Sequence, residues 1–268
     1  MDNHYTQRRF SGVTRIYGQA AYQCFQASHI CVIGLGGVGS WVVEALARSA
    51  IAELSLMDLD HVAESNINRQ LQATESNLGK AKTTALAERV LDINPDCHIH
   101  CIEDFISDKN QADILNQSYD WVIDCIDNYR TKAALIAYCR RNKIKLLTIG
   151  GAGGMIDPAK IKQVDLSRSR QDPLLSKVRK QLRQEYGFPT NPARRFNIPC
   201  IYSEEQLLYP DDHGNVSHQK PPPSNARSGL NCANGFGSSV CVTASFGFYA
   251  ASHVLNKLAL GATTASQS

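Results

Sequence analysis

A glycine turn, two cations and an isolated acid fall at spacings suited to gripping the phosphates of a nucleotide. The turn is Gly34-Leu35-Gly36-Gly37-Val38-Gly39, placed between a short β-branched run and a helical pattern. Glycines there let the backbone approach phosphates, and the first turn of the helix offers free N–H groups and partial positive charge. Gly34, Gly36, Gly37 and Gly39 are therefore candidate nucleotide contacts. Asp58 lies 19 residues beyond Gly39, where an acid accepts hydrogen bonds from a ribose. To this point NAD and ATP fit equally well.

The residues that follow separate them. Asp58-Leu59-Asp60 leads to Ser65-Asn66-Ile67-Asn68-Arg69-Gln70, then Gly79-Lys80-Ala81-Lys82, then Asp124-Cys125-Ile126-Asp127-Asn128. A site for a triphosphate gathers cations and a metal-binding acid. Arg69 and Lys82 supply the charge and Asp127 is the candidate Mg2+ ligand. A nicotinamide dehydrogenase leaves all three without a purpose.

Alternating elements must hold these residues. Residues 29–34, 53–58, 98–102, 121–126 and 146–150 read as strands, and 40–50, 80–91 and 130–142 as helices, the second stopped by Asn94-Pro95. That alternation predicts an α/β fold, a Rossmann-like, doubly wound, mostly parallel sheet. After Gly154 the pattern changes to a smaller antiparallel C-terminal extension: strands at 159–164 and 197–203, a basic helix at 173–187, and a mobile loop at 211–229 containing Pro221-Pro222-Pro223. The expected division is 1–154 for nucleotide binding and 155–268 for substrate, packed as one unit. Residues 236–255 are small and apolar, which suits a buried or dimer-forming helix and leaves open an association with a membrane.

With 43% hydrophobic and 20% charged residues among 268, the composition is that of a soluble globular protein. The polar first ten residues lack the apolar core of a signal peptide. Nine cysteines with no CxxC pair fit reduced thiols in a cytoplasm and exclude a zinc ribbon. None of the eight histidines is expected in a ligand cluster. Residues 158–200 carry ten Lys/Arg against three acids, within a chain of net charge +3. A basic segment on an otherwise mildly acidic chain is the pattern of a polyanion-binding face, with Lys177, Arg179, Lys180 and Arg183 as nucleic-acid candidates.

Taken together, residues 8–153 resemble the E1-like superfamily, which includes the ubiquitin-activating enzymes and the bacterial ThiF and MoeB adenylyltransferases. The resemblance implies that Asp58 binds ribose, that Asn66, Arg69 and Lys82 contact phosphates, and that Asp127 binds magnesium. It also implies an arginine donated across a homodimer, for which Arg9 and Arg15 both qualify. The Gly150–Gly154 run, residues 171–183, Ser203-Glu204-Glu205 and Asn231-Cys232-Ala233-Asn234-Gly235-Phe236-Gly237 resemble the subfamily of tRNA threonylcarbamoyladenosine dehydratases. There a carboxylate on adenosine 37 of tRNA is adenylated by ATP with Mg2+, and the ureido nitrogen then closes a ring and expels AMP. The resemblance also brings a link to a cysteine desulfurase and its sulfur acceptor, and room for a monovalent cation, K+ or Na+. Cys232 is a candidate nucleophile, although intramolecular closure needs no thioester. Two rivals remain: an adenylyltransferase for a ubiquitin-like sulfur carrier, and a non-catalytic tRNA-binding module.

Overall fold

The computed structural model describes residues 8–116, 118–211, 213–220 and 237–265. Seven strands form one sheet: β1 (His29–Ile33), β2 (Glu53–Met57), β3 (His98–Ile102), β4 (Trp121–Asp124), β5 (Leu146–Ile149), β6 (Ile161–Asp165) and β7 (Pro199–Ser203). Their order is β3-β2-β1-β4-β5-β7-β6, every pairing parallel except β6 with β7. β1, β4 and β5 are buried along their whole length, as apolar strands covered on both faces must be. The sheet runs across Gly154, because β7 pairs with β5 and carries β6 at its outer side. The expected antiparallel extension is thus the edge of the main sheet.

The helices are α1 (Ser11–Tyr17), α2 (Gln19–Phe25), α3 (Gly39–Ala47), α4 (Lys82–Ile93), α5 (Gln111–Ile114), α6 (Tyr129–Arg141), α7 (Pro173–Glu185) and α8 (Val240–Ala265). Residues of α2, α3, α4 and α8 share one apolar core with β1, β2 and β5, while α6 and α7 share the other with Cys31, Ile33 and Val122. α4 starts two residues later than the pattern suggests. Lys80 and Ala81 are held extended by a bond from Val62 N–H to the Lys80 carbonyl (2.8 Å) and a bridge between His61 and Ala81. β4 stops at Asp124 because that carboxylate accepts the Ile126 N–H at 3.1 Å and turns the chain.

The apolar stretch near the C-terminus belongs to the core. Val242, Phe246, Ala250 and Val254 recur every fourth residue on α8 and are fully buried. At Gly247 a Cβ would lie 2.7 Å from Trp41 Cβ and 2.8 Å from the Val38 carbonyl, so glycine lets α8 cross α3 at backbone distance. None of the described helices is long and apolar enough to cross a membrane. The expected mobile loop begins instead as a hairpin of β8 (Tyr209–Pro210) and β9 (Val216–Ser217), and its later part, from Pro221, lies outside the described residues.

Candidate functional site

The first crossovers from β1 and β4 run in opposite directions across the sheet, which leaves a crevice at their C-terminal ends. A cavity of about 550 Å³ fills it, lined by Gly34, Gly36, Gly37, Asp58, Asp60, Asn66, Arg69, Lys82 and Asp127 among others. Two glycines are required by geometry. Gly34 has φ +89°, and a Cβ on it would meet the Cys125 carbonyl at 3.0 Å. Gly39 stands behind the turn, where a Cβ would lie 1.9 Å from the Gly34 carbonyl; it shapes the loop without lining the cavity.

Asp58 is buried and built into the turn. Its Oδ2 accepts the Leu35 N–H at 2.7 Å and its Oδ1 accepts the Asp60 N–H at 2.9 Å. Lys82, also buried, sends Nζ to Asp60 Oδ2 at 2.8 Å and lies 3.8 Å from Asp58 Oδ1. Asn66 closes its own 3-10 turn by accepting the Ala63 N–H at 3.1 Å. Arg69 is fixed by Nη1 bonds to the Ser65 carbonyl (2.7 Å) and Asn68 Oδ1 (3.0 Å). Its stem packs where a Gly37 Cβ would stand, 3.2 Å from Arg69 Cγ. Asp127 is exposed on the loop after β4, and the next residue, Asn128, caps α6 by accepting the Arg130 and Thr131 N–H groups.

Beneath the cavity lies a polar network that sequence reading missed. Lys132 and Asp124 form a fully buried ion pair at 2.8 Å, and Thr148 donates to Asp124 Oδ2 at 2.7 Å. A lysine inside the helical repeat of 130–142 reads as solvated, and its partner lies on another element. Asp172 caps α7 through the Leu175 N–H (2.9 Å) and accepts the Gly151 N–H (3.0 Å), tying the Gly150-Gly151 wall to that helix. Burial raises the Asp172 carboxyl above its ordinary value. A Cβ on Gly150 would sit 2.1 Å from Asp172 Oδ2, so glycine is needed there. Burial also pushes the thiol of Cys125, which lines the cavity, far up despite the nearby Lys132 ammonium. Three further contributors come from distant segments. Thr243 of α8 reaches the Arg69 carbonyl at 3.4 Å, Gln72 donates to the Leu35 carbonyl at 2.9 Å, and the exposed Phe105 lines the cavity beside Ile106. Phe105 follows a strand as a lone exposed aromatic, the one signal that sequence offered.

Other expected residues stand apart from the cavity. Arg15 is exposed on α1, whereas Arg9 Nη1 caps the end of α4 at the Ile93 (2.7 Å) and Asp92 (3.2 Å) carbonyls. The four cations of α7 divide. Lys177 and Lys180 are exposed, with Lys177 Nζ 5.7 Å from the Tyr129 ring centroid. Arg179 is half-buried on Ser169 Oγ, and Arg183 lies over Phe196 at 5.3 Å and donates to the Pro189 carbonyl at 3.3 Å. Loss of solvent, reinforced by Arg183, lowers the Arg179 value. Of the four nucleic-acid candidates, Lys177 and Lys180 thus point outward, whereas the stripe Leu175, Val178 and Leu182 turns Arg179 and Arg183 partly toward the core. Cys232 lies outside the described residues. The histidines also depart from expectation, since His29 and His100 meet at Glu53 at the opposite end of the sheet.

The ThiF family model matches residues 8–261. The tRNA threonylcarbamoyladenosine dehydratase of Haemophilus influenzae is 51% identical, covering 96% of this chain and 95% of its own. The structure of the Escherichia coli tRNA N6-threonylcarbamoyladenosine dehydratase, TcdA, in complex with ATP superposes with a TM-score of 0.85 at 42% identity, covering 100% of this chain and 99% of the other. Its complex with AMP gives 0.85 at 42%, covering 98% of each. The adenylyltransferase and sulfurtransferase MOCS3 of Drosophila willistoni is 38% identical over 42% of this chain and 24% of its own.

Proposed function

Because the chain belongs to the ThiF family, we propose that its crevice binds ATP and adenylates the carboxylate of N6-threonylcarbamoyladenosine in tRNA, making it a tRNA threonylcarbamoyladenosine dehydratase. The observation that carries this is the convergence of the glycine turn, Asp58, Arg69, Lys82 and Asp127 on one cavity. The alternative, a carrier-protein adenylyltransferase, accounts for less than half of the chain.

The threonyl carboxylate attacks the α-phosphorus and pyrophosphate leaves. The ureido N–H then attacks the acyl-adenylate carbonyl, AMP departs with the carboxylate oxygen, and the proton passes to solvent. The nucleoside loses one water overall. Gly34, Gly36 and Gly37 let the phosphates approach the N-terminus of α3. Asp58, fixed by two backbone N–H groups, receives the ribose hydroxyls. Arg69 enters already oriented, and charge held in place before reaction lowers the barrier most. Lys82 shifts from Asp60, a partner 59% exposed and weakly held, toward the phosphates. Asp127, which lines the cavity together with Asn66, fits a Mg2+ ligand: it is an exposed carboxylate at the crevice that forms no ion pair among the described residues. Magnesium held there would neutralise charge on the leaving pyrophosphate. Phe105 and Ile106 offer an apolar wall for the adenine.

The tRNA lies against Lys177 and Lys180, the outward cations of α7. We further infer a homodimer in which Arg15 serves the neighbouring copy, since Arg9 is occupied at α4. Exposed Phe248 and Tyr249 on α8 suit such an interface.

The test is to incubate the chain with ATP and tRNA bearing threonylcarbamoyladenosine. Mass spectrometry should find the nucleoside lighter by one water, with one AMP and one pyrophosphate formed per conversion. Pyrophosphate exchange driven by a carrier protein and not by the modified tRNA would overturn the proposal.

A further inference from the structure

The N-terminal ends of β1 and β2 carry a second constellation, about 16 Å from the glycine turn as counted along the extended chain from His29 to Gly34. His29 opens β1, Glu53 opens β2, and His100 sits at the middle of β3. The parallel register sets His29 beside Glu53 and Ser55 beside His100, so all four side chains share one face of three adjacent strands. Glu53 Oε1 lies 2.7 Å from His100 Nε2 and 3.6 Å from His29 Nδ1. Among the described residues, this is the group whose donor atoms all lie within 4.8 Å of one another in the manner a metal ion needs.

The arrangement around His29 resembles the support of a ligating imidazole. Its Nε2 pairs with Ser55 Oγ at 2.9 Å, and its ring packs edge-on against Tyr119 with centroids 4.6 Å apart. Metal-bound histidines are oriented in this way, one nitrogen tied to the protein and the other presented to the ion. In the tautomer with Nε2 donating to Ser55, the Nδ1 lone pair is directed at the Glu53 carboxylate oxygen, an arrangement that a cation can bridge; in the other tautomer Nδ1–H points at the carboxylate and Ser55 donates to Nε2.

We propose that His29 Nδ1, His100 Nε2 and a Glu53 carboxylate oxygen form a site for a divalent transition ion of the zinc type, independent of the nucleotide crevice. Imidazole and carboxylate suit such borderline ions, and three protein ligands leave a fourth position for water. Bonds of about 2.0–2.2 Å in a tetrahedron separate ligand atoms by roughly 3.3–3.6 Å. The His29–Glu53 distance already meets this. The His100–Glu53 pair must open by somewhat under an ångström, which a histidine side chain 47% exposed permits. The ion would bind β1, β2 and β3 together at the exposed edge of the sheet.

Zn2+ titrated into the full chain, followed by calorimetry and thermal unfolding, tests this. One equivalent should bind and raise the Tm, since a ligand that binds only the folded chain stabilises it. Glu53→Gln and His100→Asn should each weaken binding at least tenfold and abolish the Tm rise, with ATP affinity unchanged. Ser55→Ala should weaken it about tenfold by releasing the ring of His29. Exposed Cys101 and Cys241 are competing ligands, so a Cys101→Ser, Cys241→Ser chain must keep the site. Zn2+ affinity that survives His100→Asn, or that disappears with the two thiols, overturns the proposal.

Discussion

The nucleotide crevice and the basic helix α7 were both marked by charge, yet the fold treats them differently. In the crevice, Asp58, Arg69 and Asp127 stand on loops and Lys82 opens α4; Asp58 and Arg69 are fixed by bonds to backbone groups and Lys82 by Asp60, and all four line one cavity. On α7 the four cations share one helix, and two turn inward to Ser169 and Phe196. A loop residue's direction is set by the turn it belongs to. A helical residue's direction is set by what packs against the helix. Motif spacing therefore located the crevice residues individually, whereas the charge count located only the helix as a whole.

The largest effect should come from the network joining the two regions. Lys132→Ala leaves Asp124 buried without its partner, and thermal unfolding should show a loss of about 3–5 kcal/mol. A change below about 1 kcal/mol would mean that the buried pair does not hold the fold. Next, Arg69→Ala and Asp127→Ala should slow AMP formation by roughly 10²–10³-fold while leaving the Tm and tRNA binding near parental values. Near-parental rates in both would remove the crevice from the chemistry.

On α7 the contrast can be measured directly. Lys177→Glu with Lys180→Glu should weaken tRNA binding about tenfold and reduce the slope of log K against log salt by one to two units. Arg179→Ala should instead lower the Tm and leave that slope in place. An equal loss of slope in both variants would dissolve the distinction between outward and inward cations.

The smallest effect concerns Asp165, which holds the β6–β7 edge. Burial alone would raise its carboxyl, but bonds from Ser167, Phe196 and Ile198 outweigh that and keep it below the ordinary value. A depressed acid stabilises the fold above its unfolded value of about 3.9, and that stability is lost as pH falls through the folded value. Asp165→Asn should therefore cost about 1 kcal/mol at neutral pH, and the difference from the parent should shrink as pH falls below about 3.9 in acid unfolding curves. A constant difference across pH would show that its charge is irrelevant.

Much of this was written locally. The alternation of apolar runs and helical stripes determined the parallel sheet, and the glycine turn with its downstream acid determined where the crevice opens, because periodicity and turn geometry are short-range properties. The spacing of Arg69, Lys82 and Asp127, with Asn66 added by the E1-like resemblance, likewise pointed to residues that line the crevice. Tertiary structure decided the rest. It placed Thr243 over Arg69 from 174 residues away, closed Lys132 onto Asp124, and drew α8 into the core through Gly247. It also brought His29, Glu53 and His100 together across three strands. Each of these depends on which strands become neighbours and in what register, and that is settled by the collective burial of apolar surface across the whole chain.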